Sequence, residues 1–69
     1  MKKDYSKFDE LVKYMKNRGI DKNVSICVIL ICKTNNQKTS LLDWLKTQDK
    51  LEDYSRIIEK CLEIRETIT

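Results

Sequence analysis

Cys27, Cys32 and Cys61 are the most nucleophilic side chains in a 69-residue chain that contains no histidine to activate them. A thiol becomes a useful nucleophile beside a base or a cation, and zinc sites combine cysteine with histidine or with further cysteines at short spacings. Three cysteines form no such pattern here, and their odd number gives no complete disulfide framework. Cys27 and Cys32 are five residues apart. On a helix they point about 140° from each other and on a strand to opposite faces, so they share neither a metal nor a bond. All three are expected to be small core residues, in a chain with no alanine to fill that role.

The carboxylates offer little more. Asp43 beside Trp44, or the cluster Asp49, Glu52 and Asp53, could be drawn as an acid pair. Acids in the first turn of a helix are already explained by capping and by the helix dipole. The hydroxyl residues have no activating partner, and the single glycine, Gly19, leaves no phosphate-binding loop. The expectation is a protein without enzymatic activity: no catalytic residue, no cofactor, no metal and no small-molecule substrate.

Two binding chemistries remain. The net charge is +3, but residues 1–40 carry nine basic and four acidic side chains, whereas residues 41–69 carry five and seven. The stretch from Lys33 to Ser40 has no acid. Its amides Asn35, Asn36 and Gln37 could read adenine edges, with Lys33, Lys38 and Ser40 beside them at the start of a recognition helix. That reading makes the chain a small helix-turn-helix-like DNA-binding regulator or accessory protein. The same residues also build any capped turn between helices, and the arginines that usually read guanine are scattered at Arg18, Arg56 and Arg65. The favoured reading is a protein–protein interaction module. Trp44 falls between Leu41 and Leu45 on the inner stripe of helix three, where a core role is expected; the sharper alternative makes it, with Tyr14 or Tyr54, the anchor of a partner surface, because Trp and Tyr lead the residues that dominate binding energy. Self-association as a homodimer is part of this reading, since a chain this short buries little surface alone.

These residues must be positioned by helices. Phe8, Leu11, Val12 and Met15 fall at i, i+3, i+4 and i+7, which predicts helix one over about Lys7 to Arg18, with Ser6 and Asp9 as a capping box. Gly19 supplies the left-handed stop, and Ile20 can touch Met15 across it. Val24 to Cys32 is a run with one polar side chain, Ser25, too short for a membrane span of roughly 20 residues. Its β-branched residues favour a strand, but no other segment alternates with period two to pair with it. A helix satisfies its own backbone, so the run is expected to be helix two, capped by Asp21 or Asn23. Apolar on all sides, this helix should sit at the middle of a bundle with Ile26, Val28, Ile29, Leu30 and Ile31 mostly buried. An intermolecular strand pair in a dimer is the alternative.

After a break at Lys33–Asn36, capped by asparagine, the pattern Leu41, Leu42, Trp44 and Leu45 predicts helix three over about Gln37 to Thr47. Asp49 and Glu52 then repeat the capping-box spacing and open helix four through Leu51 to about Glu66, with Glu52 and Arg56 as a surface ion pair. The short connections make consecutive helices neighbours. The expected architecture is all-α: one domain over residues 1–69, a compact bundle of about four short helices with an apolar central second helix. The basic start from Met1 to Lys7 leads into an amphipathic pattern rather than an apolar secretory segment, so no membrane association and a cytoplasmic location are expected. The missing alanine and abundant lysine, isoleucine and asparagine suit a low-GC bacterial or phage origin.

Overall fold

A computed structural model of the chain describes residues 6–68 and contains α1 (Ser6–Asn17), α2 (Lys22–Ile31), α3 (Asn35–Lys46) and α4 (Tyr54–Thr67), with no strand among the described residues. The all-α expectation holds, including the helical state of the β-branched run. The reading made of the chain's start, and the side chain of Ser6 in the proposed capping box, lie outside the described residues.

Each helix boundary has an identifiable cause. Gly19 stands at φ 77°, the left-handed region that L-residues avoid. Its N–H donates to the Lys16 carbonyl and the Ile20 N–H donates to the Met15 carbonyl, the paired bonds of a Schellman stop. Ile20 and Met15 are both buried, so the apolar contact that accompanies this motif is present. Asp21 caps α2 by accepting from the Asn23 N–H at 2.9 Å. At α3 the expected asparagine cap is replaced by Thr34: its hydroxyl accepts from the Gln37 N–H while Gln37 Oε1 accepts from the Thr34 N–H. Asn35 and Asn36 are thereby drawn into the first turn.

The start of α4 is corrected by about one turn, from an Asp49 cap to an Asp53 cap. It opens at Tyr54, capped by Asp53, whose carboxylate accepts from the Arg56 N–H. Asp49 and Glu52 precede the helix, and no Glu52–Arg56 ion pair forms. The reason is tertiary. Leu51 is buried as an anchor of the α3–α4 connection, and Arg18 Nη2 donates to the carbonyls of Gln48 and Asp49. Those contacts hold the segment extended where local spacing alone would wind it.

The core joins all four helices. Leu11 and Met15 of α1, Val28 of α2, Leu41, Leu42 and Leu45 of α3, and Ile57, Cys61 and Ile64 of α4 form one buried cluster, closed by Ile20, Cys32 and Leu51 from the connections. Helix α3 packs on α1 and α4, and α2 packs mainly on α4. The expected burial of α2 is corrected. Val28 is fully buried and Ile29 and Ile31 half-buried, but Ile26 and Leu30 are exposed by 46% and 63%. Three other helices can cover the inward face of α2 and no more, so its outward face remains in solvent. Cys27 lies on that outward face, and its expected core placement is corrected with the rest.

Candidate docking surface

The outer face of α2 is the largest unexplained feature of the molecule. Ile26 and Leu30 are one helical turn apart and share one surface of the helix, with exposed Cys27 at its edge. No charged residue occurs between Lys22 and Lys33, so nothing ionic interrupts this stripe. Leu62 of α4 is the third exposed large hydrophobe, at 37%. Scattered single hydrophobes are ordinary on protein surfaces, whereas Ile26 and Leu30 lie together on a helix whose only charged residue is Lys22 at its start.

The aromatic residues considered for a partner surface lie at the margin of the core. Trp44, Tyr14 and Tyr54 are each half-buried and pack against the core. Tyr14 is further fixed by Arg18, whose Nη1 donates to its hydroxyl at 2.7 Å and whose guanidinium carbon lies 5.7 Å from its ring centre. Trp44 borders a polar groove with Arg56, Glu59, Lys60 and Glu63. All three pack against the core while part of each side chain stays exposed, which suits the core role expected of Trp44.

The acid-free segment from Lys33 to Ser40 divides in two. Lys33, Asn35 and Asn36 are exposed and Ser40 is half-buried. Gln37 and Lys38 are buried, at 5% and 6% exposure, and both are occupied within the chain. Gln37 Oε1 accepts from the N–H groups of Lys33 and Thr34, at 2.8 and 3.1 Å, while its Nε2 donates to the Ile68 carbonyl at 2.6 Å. Lys38 Nζ donates to the Lys33 carbonyl, also at 2.6 Å. The residues best suited by type to read a base edge and to meet a phosphate thus tie the start of α3 to its neighbours.

Two thiols are brought together. Cys32, the C-cap of α2, and Cys61, in the middle of α4, are both fully buried in the core cluster. The neighbouring Cys61 thiol holds Cys32 below its ordinary value against the opposing effect of burial, and the positive charges of Lys38 and Arg65 also lower it. Cys61 is pushed well above its ordinary value, first by the neighbouring Cys32 thiol and then by burial. Both cysteines fill the core as expected, but the sequence reading compared only Cys27 with Cys32 and did not foresee this pair.

Among the described residues there is no cluster of three or more metal-binding side chains, and no helix is long and apolar enough to cross a membrane. No protein-family model matches this chain, and no curated protein or solved structure matches it.

Proposed function

We propose that the chain is a protein-interaction module that self-associates through the outer face of α2. The observation that carries this reading is the exposed Ile26–Leu30 stripe on a helix without a charged side chain from Asn23 to Cys32. A partner for such a stripe must itself be apolar and must not bury an unpaired charge against it. The stripe meets its own requirement. Two copies related by a two-fold axis lay the same surface on itself, the usual form of a homodimer interface.

The magnitude is modest. Burying an isoleucine or leucine completely contributes roughly 1.5–3 kcal/mol. Scaled by the exposed fractions of Ile26 and Leu30 and counted on both copies, the gross gain is roughly 3–7 kcal/mol. Association costs roughly 4–15 kcal/mol in lost freedom, so the half-buried Ile29 and Ile31 at the margins must add to the contact. The expected product is a weak dimer, with Kd of about 0.1–1 mM.

Sedimentation equilibrium of the full chain over that concentration range is the test. The dimer should appear with rising concentration and vanish in the Leu30→Glu variant without loss of helicity, since Leu30 is mostly exposed. Adding duplex DNA should leave the sedimenting mass unchanged. A wild-type chain that stays monomeric at about 1 mM refutes self-association.

A further inference from the structure

A surface groove of about 360 Å³ lies between the second half of α1 and the first turn of α2, apart from the Ile26–Leu30 stripe. Val12 and Lys16 line it from α1, Lys22 and Ser25 from α2, and Ile20 from the connection between them. Within each helix the two lining residues are three or four positions apart and so share a face. Ile20 is buried to 7% exposure by the Gly19 stop and forms the floor. Ser25, the one polar side chain between Val24 and Cys32, leaves the room. Its hydroxyl donates back to the Asp21 carbonyl at 3.3 Å, so the small side chain is satisfied where any other residue of the run except cysteine would fill the space with an aliphatic branch.

The charge of this groove has one sign. No acid and no aromatic ring lines it, and Lys16 and Lys22 are both exposed and form no ion pair among the described residues. Asp21, beside Lys22 in sequence, is engaged in capping the Asn23 N–H. The lysine stems add apolar surface to the walls while their ammonium groups stay in water. An aliphatic floor under two unpaired cations complements a ligand with an alkyl tail and a single anionic head. A cation would be repelled, and a planar ring would find no aromatic face to stack on. The groove beside Trp44, by contrast, mixes Arg56 and Lys60 with Glu59 and Glu63 and selects neither sign.

We propose that the α1–α2 groove binds a medium-chain fatty carboxylate, with its alkyl chain along Val12 and Ile20 and its carboxylate held by Lys16 and Lys22. The volume stands near the lower end of small-molecule sites, roughly 300–1,000 Å³, which suits one short chain and excludes a two-chain lipid.

The test follows backbone amide chemical shifts of the full chain at about 20 μM, below the dimer range, as octanoate or decanoate is added below its micelle-forming concentration. Saturable shifts with Kd below about 1 mM should centre on Val12, Lys16, Ile20, Lys22 and Ser25. Decanoate should bind more tightly than octanoate by roughly two- to fourfold for each added methylene. Lys16→Gln combined with Lys22→Gln should weaken decanoate by about five- to thirtyfold at low salt and leave binding of the uncharged decanol unchanged. Ser25→Leu should fill the groove and abolish binding without lowering the melting temperature; if that variant does not fold, the exposed lysine pair decides alone. Leu30→Glu, on the outer face, should bind decanoate as the parent chain does. Absence of saturable shifts, an affinity independent of chain length, lysine variants that bind like the parent, or shifts centred on Ile26 and Leu30 that vanish in Leu30→Glu would each overturn the proposal.

Discussion

Replacing Gln37 tests whether a single buried amide ties the start of α3 to the end of α4. Its Oε1 closes the capping box on Thr34 and also accepts from the Lys33 N–H, while its Nε2 reaches the Ile68 carbonyl just past α4. Gln37→Ala removes the reciprocal half of the box, worth about 0.5–1 kcal/mol, because Thr34 can still cap while exposed Lys33 and Thr34 can find water. It also removes the bond to the half-buried Ile68 carbonyl, worth about 1 kcal/mol, and buried side-chain contact worth about another. The sum is about 2–3 kcal/mol, which for a domain of this size lowers the melting temperature by roughly 10–20 °C. Gln37→Glu separates the contributions. It keeps the acceptor, at a helix N-terminus that favours negative charge, and loses only the donor to Ile68, so about half of the destabilisation is expected. Urea unfolding followed by circular dichroism measures both. If Gln37→Ala melts within about 2 °C of the parent chain, the amide does not connect the two helices and the account of this corner is wrong.

Three further outcomes follow from the geometry. Val28→Asp should unfold the domain, because a buried unpaired carboxylate costs several kcal/mol, whereas Leu30→Asp on the outer face should cost about 1 kcal/mol or less; equal losses of helicity would show that α2 has no inner and outer face. Arg18→Ala should cost about 1–2 kcal/mol by releasing Tyr14 and the carbonyls of Gln48 and Asp49, and Arg18→Lys should recover little of it, since one ammonium cannot reach all three acceptors as a planar fork does; thermal melts of the pair decide this. Gly19→Ala should cost about 1–2 kcal/mol from backbone strain alone, as an added Cβ meets nothing within 4 Å; Gly19→Asn should cost less, and a melting temperature unchanged by either would contradict the left-handed stop.

Local signals carried the parts of the fold that depend on nearest neighbours. The Gly19 stop, the Asp21 cap and the amphipathic stripe of α1 need only residues within a turn or two, and each forms as the spacing predicts. The Thr34–Gln37 box was equally legible, as Thr-x-x-Gln before an apolar pattern, but the adjacent asparagines offered a competing cap. The start of α4 was not legible. Asp49 with Glu52 and Asp53 with Arg56 are both plausible openings, and the choice between them is made by Leu51 entering the core and Arg18 reaching across from α1. No spacing rule within the α3–α4 segment contains Arg18.

The candidate surface fails to show in the sequence for a related reason. A run apolar on all sides was read as a helix surrounded on all sides, which requires enough other helices to surround it. In a chain of this length α1 packs mainly on α3 and only slightly on α2, and α4 must serve both α3 and α2, so one face of α2 has no cover among the described residues. The exposed parts of Ile26 and Leu30 contribute nothing to the stability of an isolated monomer and would favour its aggregation. Aromatic type pointed to Trp44, Tyr14 and Tyr54, yet the bulk of those rings is what lets them close gaps in a small core that has no alanine. The signal that could have found the surface is a count rather than a motif: the apolar positions of α2 exceed what the helices able to pack on it can bury.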